Sequence, residues 1–159
     1  MEALIIIDMQ EGYIGSERGS KEFDNVLDHI NYVSRLFRQN NRTVFVIRDL
    51  SEGDGPEFGN VKELLVQETD IEVTKLHHNG FWKTNLHALL QEHDIDFVVL
   101  AGNAAEYCVT ATYFGALENG YQTVMLQNGV LAATVDGLRS LNQTRPLISY
   151  TAIKQLLSK

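Results

Sequence analysis

Short, dominantly apolar runs recur along this chain, and helical patterns separate them. Ala3-Leu4-Ile5-Ile6-Ile7 runs without interruption into Asp8. Comparable runs lie at 43–47, 71–75, 97–101 and 122–126, with a weaker one at 147–150. A strand covered on one face alternates apolar and polar residues. A continuous apolar run instead suits a strand buried on both faces, as in a parallel sheet. Between the runs, Val26, Ile30, Val33 and Phe37 fall at spacings of four, three and four, which is one face of a helix. Thr84 reads as the N-cap of a second helix with Leu86, Leu89 and Leu90 on its apolar face. Further helices are expected near 105–117, closed by Gly120, and near 136–141 and 153–157. Alternating strands and helices specify an α/β fold: an open, doubly wound parallel sheet with helices on both faces and right-handed crossovers. Ligands in such folds sit beyond the C-terminal ends of the strands, where the strand order reverses.

No repeat recurs at a period of about 20–50 residues, which removes solenoids. A length of 159 residues fits a single domain spanning 1–159, large enough to bury a core without disulfides. The 13 Lys and Arg against 21 Asp and Glu give a net charge of −8. So acidic a chain lacks the clustered cations that would grip nucleic acid or an anionic membrane surface, so neither is expected as a partner. No apolar stretch is long enough to span a bilayer, and the N-terminus has no cationic segment or small-residue cleavage site. Cys108 is the single cysteine, so neither an internal disulfide nor a cysteine-built zinc site is available. A reducing, cytoplasmic setting is the expectation. Segment 51–60 holds three glycines, one proline and three acidic residues. It reads as a loop at the functional end of the sheet, serving the site or merely connecting elements.

Three strand ends deliver compatible chemistry. The first ends in Asp8, the third in Lys75, and the fourth runs through Gly102-Asn103-Ala104-Ala105-Glu106-Tyr107 into Cys108, in the first turn of the next helix. A thiol becomes a strong nucleophile as thiolate, and a helix N-terminus and a nearby ammonium both favour that form. The expectation is therefore a Cys108 thiol pKa below the ordinary value of about 8.5. Asp8 would take the thiol proton and return it to a leaving amine, and Lys75 would hold Asp8 ionised. Backbone N–H groups at the start of the Cys108 helix would bind the oxyanion of an attacked carbonyl. Each residue alone has a plainer reading, as a buried small hydrophobe, a turn acid and a surface lysine. Their convergence on one edge is what favours the catalytic reading.

These pieces resemble the isochorismatase-like cysteine hydrolases, the superfamily that includes nicotinamidases and N-carbamoylsarcosine amidohydrolases. The matching segments are Leu4 to Gln10, then Val73-Thr74-Lys75 followed by Gly80-Phe81-Trp82-Lys83-Thr84-Asn85-Leu86, then Gly102 to Val109. The resemblance implies a Rossmann-like, six-stranded parallel sheet, expected in the order 3-2-1-4-5-6. It implies Asp8, Lys75 and Cys108 as a triad and a cis peptide at Asn103–Ala104, which would aim the Ala104 and Cys108 N–H groups into the oxyanion hole. It implies hydrolysis of a small amide or carbamoyl compound through a Cys108 thioester. Two other readings stay open: vinyl-ether hydrolysis of the isochorismatase kind, in which the Asp is the acid and the cysteine is not needed, and a catalytically silent binding module. Family members are commonly dimers or larger, so a homodimer or higher homo-oligomer is expected. Phe114, Leu117 and Tyr121 are candidate contributors, although at least two of them are expected to pack on the chain's own sheet.

Four aromatics near the motifs, Tyr13, Phe81, Trp82 and Tyr107, are candidates to line a pocket for a small-molecule substrate. Gly12, Gly15 and Gly19 do not match a dinucleotide fingerprint, and no cofactor is expected. Nor is a metal: the second strand ends in Arg48-Asp49-Leu50-Ser51, with one carboxylate and no imidazole. His77 and His78 are adjacent in an extended stretch and point apart. At most two ligands could meet, where a zinc or iron site needs at least three.

Overall fold

The computed structural model describes residues 1–158. Six strands, β1 (Glu2–Ile7), β2 (Thr43–Asp49), β3 (Ile71–Lys75), β4 (Phe97–Asn103), β5 (Gln122–Leu131) and β6 (Leu147–Ile148), form one sheet in the order 3-2-1-4-5-6. Every pairing is parallel. Helices α1 (Glu11–Ile14), α2 (Lys21–Gln39), α3 (Leu86–Glu92), α4 (Thr110–Glu118), α5 (Val135–Thr144) and α6 (Tyr150–Leu157) connect and cover them. The order reverses between β1 and β4, so Asp8 and the Cys108 segment are delivered to the same crevice.

The continuous run of β1 serves two cores at once. Ala3, Ile5 and Ile7 pack on one side with Leu86 and Leu90 of α3 and Tyr113 and Ala116 of α4. Leu4 and Ile6 pack on the other with Phe23, Ile30, Val33 and Phe37 of α2 and Ile153 of α6. All five residues from Ala3 to Ile7 are at most 1% exposed. At roughly 1.5–3 kcal/mol for each fully buried large aliphatic side chain, this central strand anchors the sheet.

Two details differ from the sequence expectation. Helix α3 begins one residue later than a Thr84 cap implies, with Asn85 at the N-cap. Thr84 still serves the turn, because its hydroxyl accepts from Leu86 N–H and donates to the Gly80 carbonyl. In addition, only Tyr121 of the three outer-face candidates packs inward. Phe114 and Leu117 are 47% and 43% exposed, because they lie on the face of α4 turned away from the sheet. No helix is long and apolar enough to cross a membrane among the described residues.

Candidate active site

Each strand end carries one part of the site. Asp8 follows β1 with φ of +50°, a left-handed turn that a short polar residue tolerates. Its N–H is held by the Ile47 carbonyl at 3.0 Å. Asp49 and Lys75 are register partners across β2 and β3, so their side chains project side by side. Gly102 lets β4 pass close to β1: a Cβ there would fall 2.1 Å from the Ile7 carbonyl oxygen, and its φ is +118°. The chain then crosses the cis peptide Asn103–Ala104 and enters a π-helical segment, Ala105–Val109, which carries Cys108 and leads into α4. Glu106 fastens this segment. Its carboxylate accepts from the Ala133 and Thr134 amides and the Thr134 hydroxyl.

Lys75 sits at the centre, 2% exposed. Its Nζ lies 2.9 Å from Asp8 Oδ2, 2.6 Å from Asp49 Oδ2 and 3.3 Å from Cys108 Sγ. Asp8, Asp49 and Cys108 offer ligand atoms within 4.8 Å of one another. The cation they surround is the Lys75 ammonium, so a metal ion among them would have to displace a buried charge. Asp8 Oδ1 is buried and has no hydrogen-bond partner, which leaves one acceptor of this carboxylate unsatisfied within the cluster.

Burial and the Asp8 carboxylate change the electrostatics expected from the sequence. The Cys108 thiol is not lowered. Burial, then the charge of Asp8 and a hydrogen bond to it, push it up to about 12, and Lys75 opposes this only in part. The lysine's charge is already shared between two carboxylates, so little remains for a thiolate. Burial also pushes the Asp8 carboxyl above its ordinary range, against the pull of Lys75. For Lys75, burial favours the neutral amine, but Asp8 and Asp49 together outweigh it and raise the pKa. Asp49 is held below its ordinary range: burial is outweighed by its hydrogen bonds to Lys75 and Ser51. The resting site is therefore a thiol beside a carboxylate that can accept its proton.

A cleft of about 280 Å³ opens over the sulfur. Tyr13 and Tyr107 border it, with Glu17, Ser51, Glu52, His78, Asn103 and Ala104. Phe81 and Trp82 lie elsewhere. Phe81 stacks on Tyr121 with ring centroids 5.8 Å apart, against the core of the α3–α4 face. Trp82 is 57% exposed and meets Lys83. The 51–60 loop is tied down rather than free, since the buried Gln10 side chain donates to both the Asp49 and Phe58 carbonyls. Gln10 also accepts from Asp49 N–H at 2.7 Å.

Two residues at the sulfur escaped the sequence reading. From the sequence Asp49 reads only as a candidate metal ligand, one of at most two. The alternation of Ile47 and Asp49 against Val73 and Lys75 was the available signal, and it needed the β2–β3 register to be read. His78, like His77, reads from the sequence as an insufficient metal ligand, yet its Nδ1 lies 3.3 Å from Cys108 Sγ.

Comparison with known proteins agrees with this architecture. The isochorismatase domain model matches residues 2–145. An uncharacterized isochorismatase family protein of Escherichia coli O157:H7 is 28% identical over 177 residues, covering 98% of this chain and 94% of that protein. The nicotinamidase of Saccharomyces cerevisiae is 42% identical over 60 residues, 36% of this chain and 28% of that enzyme. The structure of an isochorismatase family protein from Burkholderia thailandensis superposes with a TM-score of 0.88 at 22% identity, covering 99% and 96% of the two chains. With the family model spanning nearly the whole chain and the fold shared end to end, this protein belongs to the isochorismatase family of hydrolases.

Proposed function

We propose that the protein hydrolyses a small, uncharged or cationic amide or carbamoyl compound through a thioester on Cys108. One observation carries this reading: the Lys75 ammonium bridges Asp8 and the Cys108 sulfur while Asp8 Oδ1 stays free. As Sγ attacks the carbonyl carbon, Asp8 takes the thiol proton. Its raised affinity for a proton suits that role. The oxyanion is met by the Ala104 and Cys108 N–H groups. Asp8 returns the proton to the leaving nitrogen, the C–N bond breaks, and water then cleaves the thioester. The name of the yeast relative, a nicotinamidase, points toward the same bond class.

The cleft also discriminates by charge. Asp8, Glu17, Asp49 and Glu52 line it, and no Arg or Lys is among its lining residues. The buried Lys75 is the one ammonium at its base, and it is already shared between two carboxylates. Carboxylates held at the open rim therefore disfavour an anionic substrate. The vinyl-ether reading has one point in its favour, since a carboxyl with a raised pKa suits an acid. Isochorismate, however, is a dicarboxylate and would enter against that charge. A screen separates the readings: neutral primary amides, cationic amides, carbamoyl amines, half-amides carrying a carboxylate, and isochorismate, scored for ammonia or pyruvate. Ammonia from neutral or cationic amides is expected, with kcat/KM at least about tenfold above the matched carboxylates, the factor that ~1.4 kcal/mol gives. Pyruvate from isochorismate, with no ammonia from any amide, would overturn the proposal.

For assembly, we propose a homodimer that covers the exposed Phe114 and Leu117 of α4. Light scattering at micromolar concentration should give twice the monomer mass. A monomer mass throughout that range would reject it.

A further inference from the structure

We propose that His78 is a second proton-transfer group on the Cys108 sulfur, acting from the open side of the cleft and serving the water that cleaves the thioester. The inference rests on the thioester reading above and adds a catalytic residue to it. Its basis is position. His78 follows the β3 end by three residues and is exposed, whereas Asp8 is 2% exposed and approaches the sulfur from the strand side. His78 Nδ1 reaches Sγ at 3.3 Å, and the imidazole stacks on Tyr107, with ring centroids 6.0 Å apart and an interplanar angle of 28°. That stack holds the ring against the nucleophile. The neighbouring His77 is exposed and does not border the cleft; the backbone bends after β3 instead of running extended, and that bend separates the two imidazoles.

The two halves of the reaction make different demands. In acylation the proton travels from the thiol to the leaving nitrogen, and Asp8 handles it within the buried cluster. Once the amine has left, water must approach the thioester from solvent. There His78 Nδ1 accepts one proton from the water as the C–O bond forms. The C–S bond then breaks, and the departing sulfur takes that proton back from His78, so the thiol is restored and the carboxylic acid released. No other group is consumed. The charged and titratable groups around the imidazole are Cys108 and Tyr107 on the nucleophile segment, Asp8, Asp49 and Lys75 at the strand ends, and Tyr13, Glu17 and Glu52 on the cleft walls.

The test uses two readouts. Iodoacetamide alkylation of Cys108 across pH 4–10 needs no substrate. The shape of the wild-type pH–rate profile should change in both His78→Phe, which preserves the aromatic stack, and His78→Gln, which preserves a polar contact to sulfur, because each removes the group that exchanges protons with the sulfur from the open side. A profile of unchanged shape in both variants, a uniform scaling of rate at every pH included, would overturn the proposal. The second readout is intact-protein mass during turnover of an amide found in the screen. His78→Phe should accumulate the acyl adduct where the wild type does not, with kcat at least about tenfold lower. Adduct levels equal to wild type would reject the deacylation role. If the wild type hydrolyses no amide, the functional reading fails, while the alkylation profile still decides whether His78 exchanges protons with the sulfur.

Discussion

Asp8→Asn should cut turnover at least about a hundredfold, the low end for a general acid–base group, while making the resting thiol more acidic. The two effects have opposite signs and one cause. The Asp8 charge and its hydrogen bond help hold the Cys108 thiol near 12, after burial itself. An amide of the same shape removes the charge and leaves only a weaker, neutral acceptor, so the thiolate fraction at pH 9 rises and alkylation there accelerates. Turnover falls regardless, because Asn cannot accept the proton during attack or deliver it to the leaving nitrogen. Steady-state kinetics and alkylation rates on one preparation measure both. Wild-type turnover in the variant would remove Asp8 from the mechanism. Slower alkylation together with lost turnover would mean that the site had collapsed.

Lys75→Met should destabilise the fold by about 3–5 kcal/mol, the cost of breaking a buried ion pair from one side. The variant leaves Asp8 and Asp49, 2% and 6% exposed, facing each other without their shared cation. Because the fold raises the Lys75 pKa, the lysine's contribution is complete below about 10.5, its ordinary value. It fades as pH climbs through the higher folded value. The acid side has the reverse sign: Asp49, lowered in the fold, stabilises above its ordinary value of about 3.9 and loses that contribution as pH falls toward the folded value. The gap between wild type and Lys75→Met should therefore be widest between about pH 5 and 9 and narrow on both sides. Urea midpoints across pH read it. A loss under about 1 kcal/mol at pH 7 would make Lys75 equivalent to a surface pair, against its burial. Loss of the ammonium should also slow Cys108 alkylation, since Lys75 lowers the thiol pKa.

The apolar run 3–7 determined the fold class unaided, because a strand with no polar face must be covered twice and a parallel sheet does that. The same logic put Asp8, Lys75 and Cys108 on one edge, since parallel strands all finish at the same side. What those three groups do to one another was decided by the tertiary structure. Asp49 stands opposite Lys75 only through the β2–β3 register, a pairing between residues 26 apart, and it is burial of the sulfur together with the Asp8 charge that turns an expected thiolate into a thiol. His78 and Trp82 belong to the same connection between β3 and α3, and their sequence context is alike. Only the path of that backbone turns the imidazole onto the sulfur and leaves the indole in solvent. Local patterning encodes which face of an element is covered. The charge state of a buried group depends on every neighbour that replaces its lost water, and those neighbours come from distant parts of the chain.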